Sequence, residues 1–426
     1  MQTRAHAPHP ILGINRNPIH IALGIMLMLL FFIFIFLFLT LTAQPAHGQT
    51  YKVLYTFTGW ADGANPRAGL TMDAGGNLYG TAYQGGPGGD GTVYRLKRSG
   101  ANWVFDRLYI FPGGSGGAAP WGGVVFGPDG ALYGTTTADA TVFGLRPQPK
   151  VCYNALCLWM HTVLHGLDSA PLFGSLIFDP SGNIYNTTVL GGLGVGSVFE
   201  LTPSGGDWTE TVVYNFSGSG SDGWAPYHGV VRDDAGNLYG TTLYGGDMTT
   251  CANYGCGTVF RLTPSGTGWT QDLLHRFQGG DDGAFLYAGL IAGPSGNLYG
   301  ATNAGGPSGG GTVFELTPSG DGWTYSVIYR FTGECFPVGN LVIDPAGNLY
   351  GTCSGNGYVN GSVFKLTPSV SSWTYTSLHD FAGGSDGVGP MGDLMRDASG
   401  NLYGTTYAGG SSNCDGGCGV VWEVTP

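Results

Sequence analysis

Short apolar runs, each cut off by Gly, Pro, Asn, Asp or Ser, fill the chain from residue 51 to its end. The stretch after Tyr287 shows the pattern. AGLIAG (288–293) is a short apolar run, and Pro294-Ser295-Gly296-Asn297 turns the chain. LYGATN (298–303) follows, rich in β formers; a Gly-rich loop (305–311) leads to TVFELTP (312–318), and a second turn (319–322) leads into WTYSVIYRF (323–331). Four runs of strand length joined by short connections predict four antiparallel strands, with no room for a helix of ordinary size. A sheet with one wet face would alternate apolar and polar side chains. Here Leu298 and Tyr299 are adjacent and both apolar, as are Val313 and Phe314, so both faces of the sheet are expected to be covered.

The pattern recurs. NLYGT begins at Asn77, Asn237, Asn348 and Asn401, with the variants NLYGA from Asn297, ALYGT from Ala131 and NIYNT from Asn183, in steps of 51 to 60 residues. A fixed period of this size marks a repeat architecture. Four-stranded units in tandem, covered on both faces, predict an all-β fold, a seven-bladed β-propeller with one unit per blade over residues 49–426. The small pairs Ala68-Gly69, Gly122-Gly123 and Ala288-Gly289 suit the crowded strand nearest the axis. The two ends of the repeat region are out of phase in a complementary way: YKVLYTF (51–57) matches a fourth strand, and VVWEVTP (420–426) matches a third. Their pairing would complete the last blade and leave no free sheet edge. Trp103, Trp159, Trp208, Trp269, Trp323 and Trp373 each precede a Tyr or His by six residues (Tyr109, His165, Tyr214, His275, Tyr329 and His379). This periodic pairing reads as packing of the outer strand, which makes His165, His275 and His379 poor catalytic candidates.

Composition sharpens this picture. Only 10% of residues are charged and 13% are aromatic, and the 79 Gly recur at fixed places beside Leu, Tyr, Val and Phe, so they punctuate a packed fold. The net charge is −12, with no Lys/Arg stripe, which argues against nucleic acid as a partner. Ahead of the repeats, Arg4 and Arg16 precede an apolar run from Ile21 to Ala43, and Ala46-His47-Gly48 fits a small-x-small cleavage pattern. Residues 1–48 therefore read as a cleaved signal peptide or an uncleaved N-terminal membrane anchor; a buried core helix fits the position and flanks poorly. Either of the first two places the repeats outside the cytoplasm, secreted or anchored, with the membrane touched only by this segment. Eight Cys residues fit an exported chain and suggest four disulfides, Cys152–Cys157, Cys251–Cys256, Cys335–Cys353 and Cys414–Cys418. Zinc competes weakly, because no CxxC pair occurs and the close pairs lie in different units.

In a propeller, the loops from strand two to three and from strand four to the next strand one open on one face. The stereotyped turns, such as Asp344-Pro345-Ala346-Gly347-Asn348, lie on the other and read as structural. The variable face carries an Asp-Gly in several units, at Asp62, Asp222, Asp282 and Asp386. These Asp residues read as turn formers that bond to their own backbone; Ca²⁺ binding is the competing reading, and the dense spacing of a calcium loop is missing. No cofactor is expected. Trp60, Trp121 and Trp224 break the strand pattern on the same face, with Phe285 and Tyr287 nearby. Such aromatics could stack on sugar rings or grip a peptide, or simply cap the core beneath the loop. His228 follows Tyr227 in this region and reads as a hydrogen-bonded structural residue. No HExxH or P-loop occurs, and catalytic residues are not assigned.

GNLYGTT (236–242 and 400–406), the GG that follows it, and GTVFxLTP (257–264 and 311–318) resemble the GloVer-type tandem repeats of bacterial exported proteins, also called choice-of-anchor repeat proteins. The resemblance covers nearly all of residues 51–426. It implies an exported repeat domain with no established activity, and any anchoring is expected from the N-terminus. A weaker likeness to NHL-type propellers lies in the DxxGNLY turn. The functional expectation is an extracellular module that binds a glycan or a protein through Trp60, Trp121, Trp224, Phe285 and Tyr287, with Asp62, Asp222, Asp282 and Asp386 as polar partners. A glycan-active hydrolase or lyase using Asp222 and Asp282 as acids, and a structural envelope component, are the competing readings.

Overall fold

Each repeat folds as a four-stranded antiparallel sheet, and the computed structural model contains seven of them. It describes residues 49–148 and 159–426 apart from 221, 250, 321, 334 and 356–359, together with Met28. The signal or anchor expected over residues 1–48, with its apolar run from Ile21 to Ala43, and the expected Cys152–Cys157 bridge lie outside the described residues. Blade 1 is made of Thr71–Met72, Leu78–Ala82, Thr92–Ser99 and Asn102–Ile110, and blades 2 to 6 repeat that order. Blade 7 takes Met395–Arg396, Leu402–Thr406 and Val420–Thr425 from the C-terminal side and borrows Thr50–Thr56 as its outer strand. The borrowed strand pairs Thr50 with Thr425, Val53 with Trp422 and Thr56 with Val420. The ring is thereby closed by hydrogen bonds between the two ends of the repeat region, as their phase predicts.

The repeated residues explain the blade. Every second strand is buried on both faces, since neighbouring blades cover it from either side. Its Gly is required by a close approach: a Cβ on Gly300 would run into the Phe314 ring of the third strand, and the same holds for Gly240 against Phe260. The Tyr of that strand reaches the neighbouring blade, where the fourth-strand Trp meets it edge-on. The pairs Tyr79–Trp159, Tyr133–Trp208, Tyr185–Trp269, Tyr239–Trp323 and Tyr403–Trp103 have centroids 5.8–6.5 Å apart, and the last joins blade 7 to blade 1. Five of the stereotyped turns are centred on a carboxylate, at Asp73, Asp179, Asp233, Asp344 and Asp397. Asp344 Oδ1 accepts the N–H groups of Ala346 and Asn348 at 2.9 Å each, and Oδ2 accepts Asn348 Nδ2 and the Tyr350 hydroxyl. Gly347 carries the φ of 83° that this turn needs.

One feature has no sequence signature. In every blade the outer pair slips by one residue, as between Val259–His275 and Phe260–Leu273, leaving Leu274 as a bulge. The bulge twists the outer strand at the end from which the variable-face loops leave. Disulfides form at Cys251–Cys256, Cys335–Cys353 and Cys414–Cys418, all on that face. They suggest an oxidising, extracellular environment. Among the described residues no helix is long and apolar enough to cross a membrane.

Candidate functional site

Seven loops, each running from a fourth strand to the next first strand, converge on the axis. Four aligned positions in them can be followed around the ring. In five loops a residue other than Gly takes a left-handed backbone: Asn65, Ala119, Ala225, Phe285 and Phe336, with φ between 54° and 60°. In a sixth the position is Gly389 (φ 67°). Such backbone is costly and persists only where the surroundings over-determine it. Here two hydrogen bonds do so. The N–H of Phe285 donates to Cys256 O (2.9 Å) in the preceding blade, and its C=O accepts from Asn303 N (2.9 Å) in the following one. Ala119 and Ala225 are held the same way, by Asp90 O and Thr137 N, and by Val195 O and Leu243 N. Two residues on, the side chain emerges at the mouth of the axis. It is Arg67, Trp121, Phe173, Tyr227, Tyr287, Val338 or Met391, one from each blade.

Together these seven line a cavity of about 400 Å³, joined on its rim by Asn303, Phe336, Ser354 and Gly355. The chemistry is divided. Blades 2 to 5 supply a continuous aromatic arc: Trp121 meets Phe173 edge-on at 5.2 Å, Phe173 meets Tyr227 at 5.6 Å, and Tyr227 meets Tyr287 edge-on at 5.0 Å. Val338, Met391 and Arg67 complete the circle. The Arg67 guanidinium lies 4.3 Å from the Trp121 ring, 4.3 Å from Tyr407 and 4.7 Å from Tyr83. Burial pushes the Tyr227 and Tyr287 phenols above their usual range, so both stay neutral and can donate or accept a hydrogen bond.

The next two positions run deeper along the axis and are mostly Gly or Ala, because adjacent backbones touch there. A Cβ on Gly392 would collide with Ala68, and one on Gly229 would sit against Ser175 O. Of the four exceptions, His228, Asn340 and Asp393 are bonded to one another, and the fourth is Ser175. His228 of blade 4, only 4% exposed, places Nε2 3.2 Å from Asp393 Oδ1 of blade 7. The same carboxylate oxygen accepts the Asn340 N–H at 2.7 Å, and Asn340 Oδ1 accepts the Gly289 N–H at 2.7 Å. Burial alone would raise the Asp393 pKa, but His228 and the Asn340 N–H outweigh it and hold the carboxyl below its usual value.

The residues singled out from the sequence are distributed unevenly over this face. Trp121 and Tyr287 stand in the axial arc. Trp60 is 73% exposed on the outer rim and borders a separate cleft with Gln84, Tyr407 and Asp415. Trp224 packs at a tilt against Tyr244 at 4.4 Å and is not among the residues lining the mouth, and Phe285 is the left-handed loop residue described above. The four Asp residues bond within their own loops. Asp62 Oδ2 accepts from Thr58 N and the Tyr55 hydroxyl, and Asp222 Oδ2 from Ser217 N and the Tyr214 hydroxyl. Asp282 accepts Gln278 N and pairs with His275; Asp386 accepts Ala382 N and pairs with His379. Among the described residues no group of three or more His, Cys, Asp or Glu side chains is placed to hold a metal. His228 is hydrogen-bonded, as expected of it. Arg67, Phe173, Tyr227, Val338 and Met391 were not singled out, although each occupies the position aligned with Trp121 and Tyr287.

A closed ring of seven four-stranded antiparallel sheets, with a cavity at one end of its axis, defines a seven-bladed β-propeller. The Gloeobacter/Verrucomicrobia repeat model matches residues 40–156 and 171–422, and the chain belongs to that family. No curated protein matches it. Among solved structures, it is similar to a fungal alcohol oxidase of the AA5 family in complex with copper, with a TM-score of 0.55 and 13% identity over 88% of this chain and 76% of that one. It is also similar to the extracellular domain of a candidate one-component system from B. thetaiotaomicron (TM-score 0.53, 10% identity, 87% of this chain and 39% of that one). A candidate 6-phosphogluconolactonase from Bacteroides uniformis matches with a TM-score of 0.50 and 16% identity, over 74% of this chain and 84% of that one. At such identities the likeness shows the fold alone.

Proposed function

We propose that the protein is an extracellular binding module that takes a glycan in the axial mouth of its variable face. The observation that carries the reading is the unbroken arc of Trp121, Phe173, Tyr227 and Tyr287 around an open cavity of about 400 Å³. Aromatic faces stack on the apolar faces of sugar rings, and neutral phenols at the arc's end supply hydrogen bonds to hydroxyls. The backbone supports the assignment, since the left-handed residues Ala119, Ala225 and Phe285 stand two positions before Trp121, Tyr227 and Tyr287. The apolar run from Ile21 to Ala43 and the disulfides fit export of the domain to where glycans are met.

A glycan array probed with the full chain tests the reading. Trp121→Ala and Tyr287→Ala are expected to weaken the bound spots by roughly tenfold each, the scale of one lost aromatic contact. Trp224→Ala and Trp60→Ala, which lie off the mouth, are expected to leave binding within about twofold, below half of that scale. If the Trp121 and Tyr287 variants bind as the native chain does, the mouth is not the site.

A further inference from the structure

Arg67 is the odd member of the ring. Six of the seven axial side chains are aromatic or aliphatic, and this one carries a charge. Among the described residues Arg67 makes no ion pair and no side-chain hydrogen bond; its Nε is buried without a partner, and its neighbours are the rings of Trp121, Tyr407 and Tyr83. No carboxylate stands among the described residues lining the mouth. Its field nevertheless reaches the cavity, since Arg67 opposes part of the upward shift that burial imposes on the Tyr227 phenol across the mouth. Three rings packed around a guanidinium leave its edge, with the forked N–H donors, as the part free for a partner. That fork matches the two oxygens of a carboxylate.

We propose that Arg67 makes the axial mouth selective for glycans bearing a carboxylate, so that the ligand is an acidic oligosaccharide whose uronate lies against Arg67 while its ring stacks on the arc from Trp121 to Tyr287. The inference rests on the glycan-binding reading and adds the class of sugar. A charged hydrogen-bonding pair shielded by aromatic walls is worth more than its counterpart in water, because the walls exclude competing solvent. A neutral sugar in the same place would leave the guanidinium fork without a partner and gain only the stacking.

The test is calorimetric titration of the full chain with an oligogalacturonate and with the same oligosaccharide after its carboxyls have been reduced to hydroxymethyl groups. The native chain is expected to bind the acidic form about tenfold more tightly at low salt, the scale of a hydrogen bond to a charged group, and the advantage is expected to shrink as salt rises. Arg67→Met keeps a long apolar side chain under the rings; it is expected to bring binding of the acidic form down to that of the neutral one. Arg67→Lys retains charge without the fork and is expected to keep part of the advantage. Equal native binding of the two forms, or an Arg67→Met variant that still prefers the acid, would overturn the selectivity while leaving a neutral-glycan site intact. Binding of neither sugar, with or without Arg67, would remove the glycan reading and this inference together. A sulfated oligosaccharide bound as tightly as the carboxylated one would also overturn it, since the site would then read charge and not the carboxylate.

Discussion

Ring closure is tested by making one truncation at two equivalent places. Phe57 follows the borrowed outer strand of blade 7; Phe277 occupies the same position after the outer strand of blade 4. Both are fully buried. Phe57 meets Tyr94, Tyr55 and Phe105 at 5.1, 5.2 and 6.2 Å, and Phe277 meets Phe314, His275 and Tyr325 at 5.3, 4.7 and 5.7 Å. The surroundings are equivalent residue by residue, so Phe57→Ala and Phe277→Ala should lose similar global stability, about 3–5 kcal/mol each. Connectivity differs, because the strand before Phe277 is tied by a short turn to the third strand of its own blade, whereas Thr50–Thr56 is joined to Val420–Thr425 by hydrogen bonds alone. Opening the seam therefore costs less than opening blade 4 and should appear as a separate, lower-energy event. Denaturant titration measures the global loss, and native-state hydrogen exchange at the amides of Val420–Thr425 measures the local one. Phe57→Ala is expected to strip protection from Val420–Thr425 at denaturant concentrations where blade 4 stays protected; Phe277→Ala is expected to spare it. Equal loss of seam protection in both variants, or a global loss under about 1 kcal/mol for Phe57→Ala, well short of a cavity cost, would refute the closing role assigned to Thr50–Thr56.

Three further outcomes follow from the same contacts. Burial by itself would raise the Asp73, Asp233 and Asp344 carboxyls, but the Asn and Tyr hydrogen bonds of their turns win and hold all three below the ordinary range, as Asp393 is held by His228. Carboxylates depressed in the folded state stabilise it above their unfolded pKa of about 4 and lose that contribution as pH falls through the folded value; the thermal midpoint should drop below about pH 4, less so in Asp344→Asn, and a midpoint unchanged down to about pH 2.5 would contradict this. Cys335–Cys353 spans 18 residues and the bridges at Cys251–Cys256 and Cys414–Cys418 span 5 and 4, so loop-closure entropy assigns about 3 kcal/mol to the first and about 2 to each of the others; paired Ala replacement read by denaturant titration should follow that order, and a larger loss at Cys414–Cys418 would break it. Asp393→Ala leaves His228 and the Asn340 N–H buried without their partner and should cost about 1–3 kcal/mol, whereas His228→Ala with Asp393→Gly restores the small residues of the other units and should recover most of it; a double variant as unstable as the sum of the singles would show that the two side chains do not act as a pair.

How far the sequence could be read depended on whether a feature repeats. The blade was legible because Gly300, Phe314 and Trp323 recur as a set, each needed by the packing of the others. The closing strand was legible because Tyr51–Phe57 shares the pattern of Trp323–Phe331. The outer-strand bulge was not, since the extra residue is apolar like its neighbours, as with Leu274 beside Leu273. The mouth was half legible. Trp121 and Tyr287 stand out as aromatics beside small residues, but Phe173, Tyr227, Val338, Met391 and Arg67 share a position and no common chemistry. Attention to recurring Asp-Gly pairs led instead to Asp62, Asp222, Asp282 and Asp386, whose recurrence reflects the shared need to bond a fourth-strand loop. The informative comparison was among the seven units at one aligned position, where the residues differ.

That comparison also explains why the asymmetry gathers on the axis. Away from it, each unit packs against two like neighbours, so a change such as replacing Phe314 disturbs contacts that every other blade repeats. At the axis seven different strands present one residue each to the same small volume, and a substitution in one unit meets six partners that need not change with it. Polar exceptions can therefore enter there if they satisfy each other, as His228, Asp393 and Asn340 do across blades 4, 7 and 6. Buried polar groups are tolerated only when paired, and the chain of bonds from His228 to Gly289 N meets that condition without disturbing any blade's sheet. One position nearer the surface the same freedom lets one blade carry a cation and four carry aromatic rings. A fold made of repeated units thus acquires an unsymmetrical site at the place where its units meet, while the packing that closes the ring remains the same in each blade.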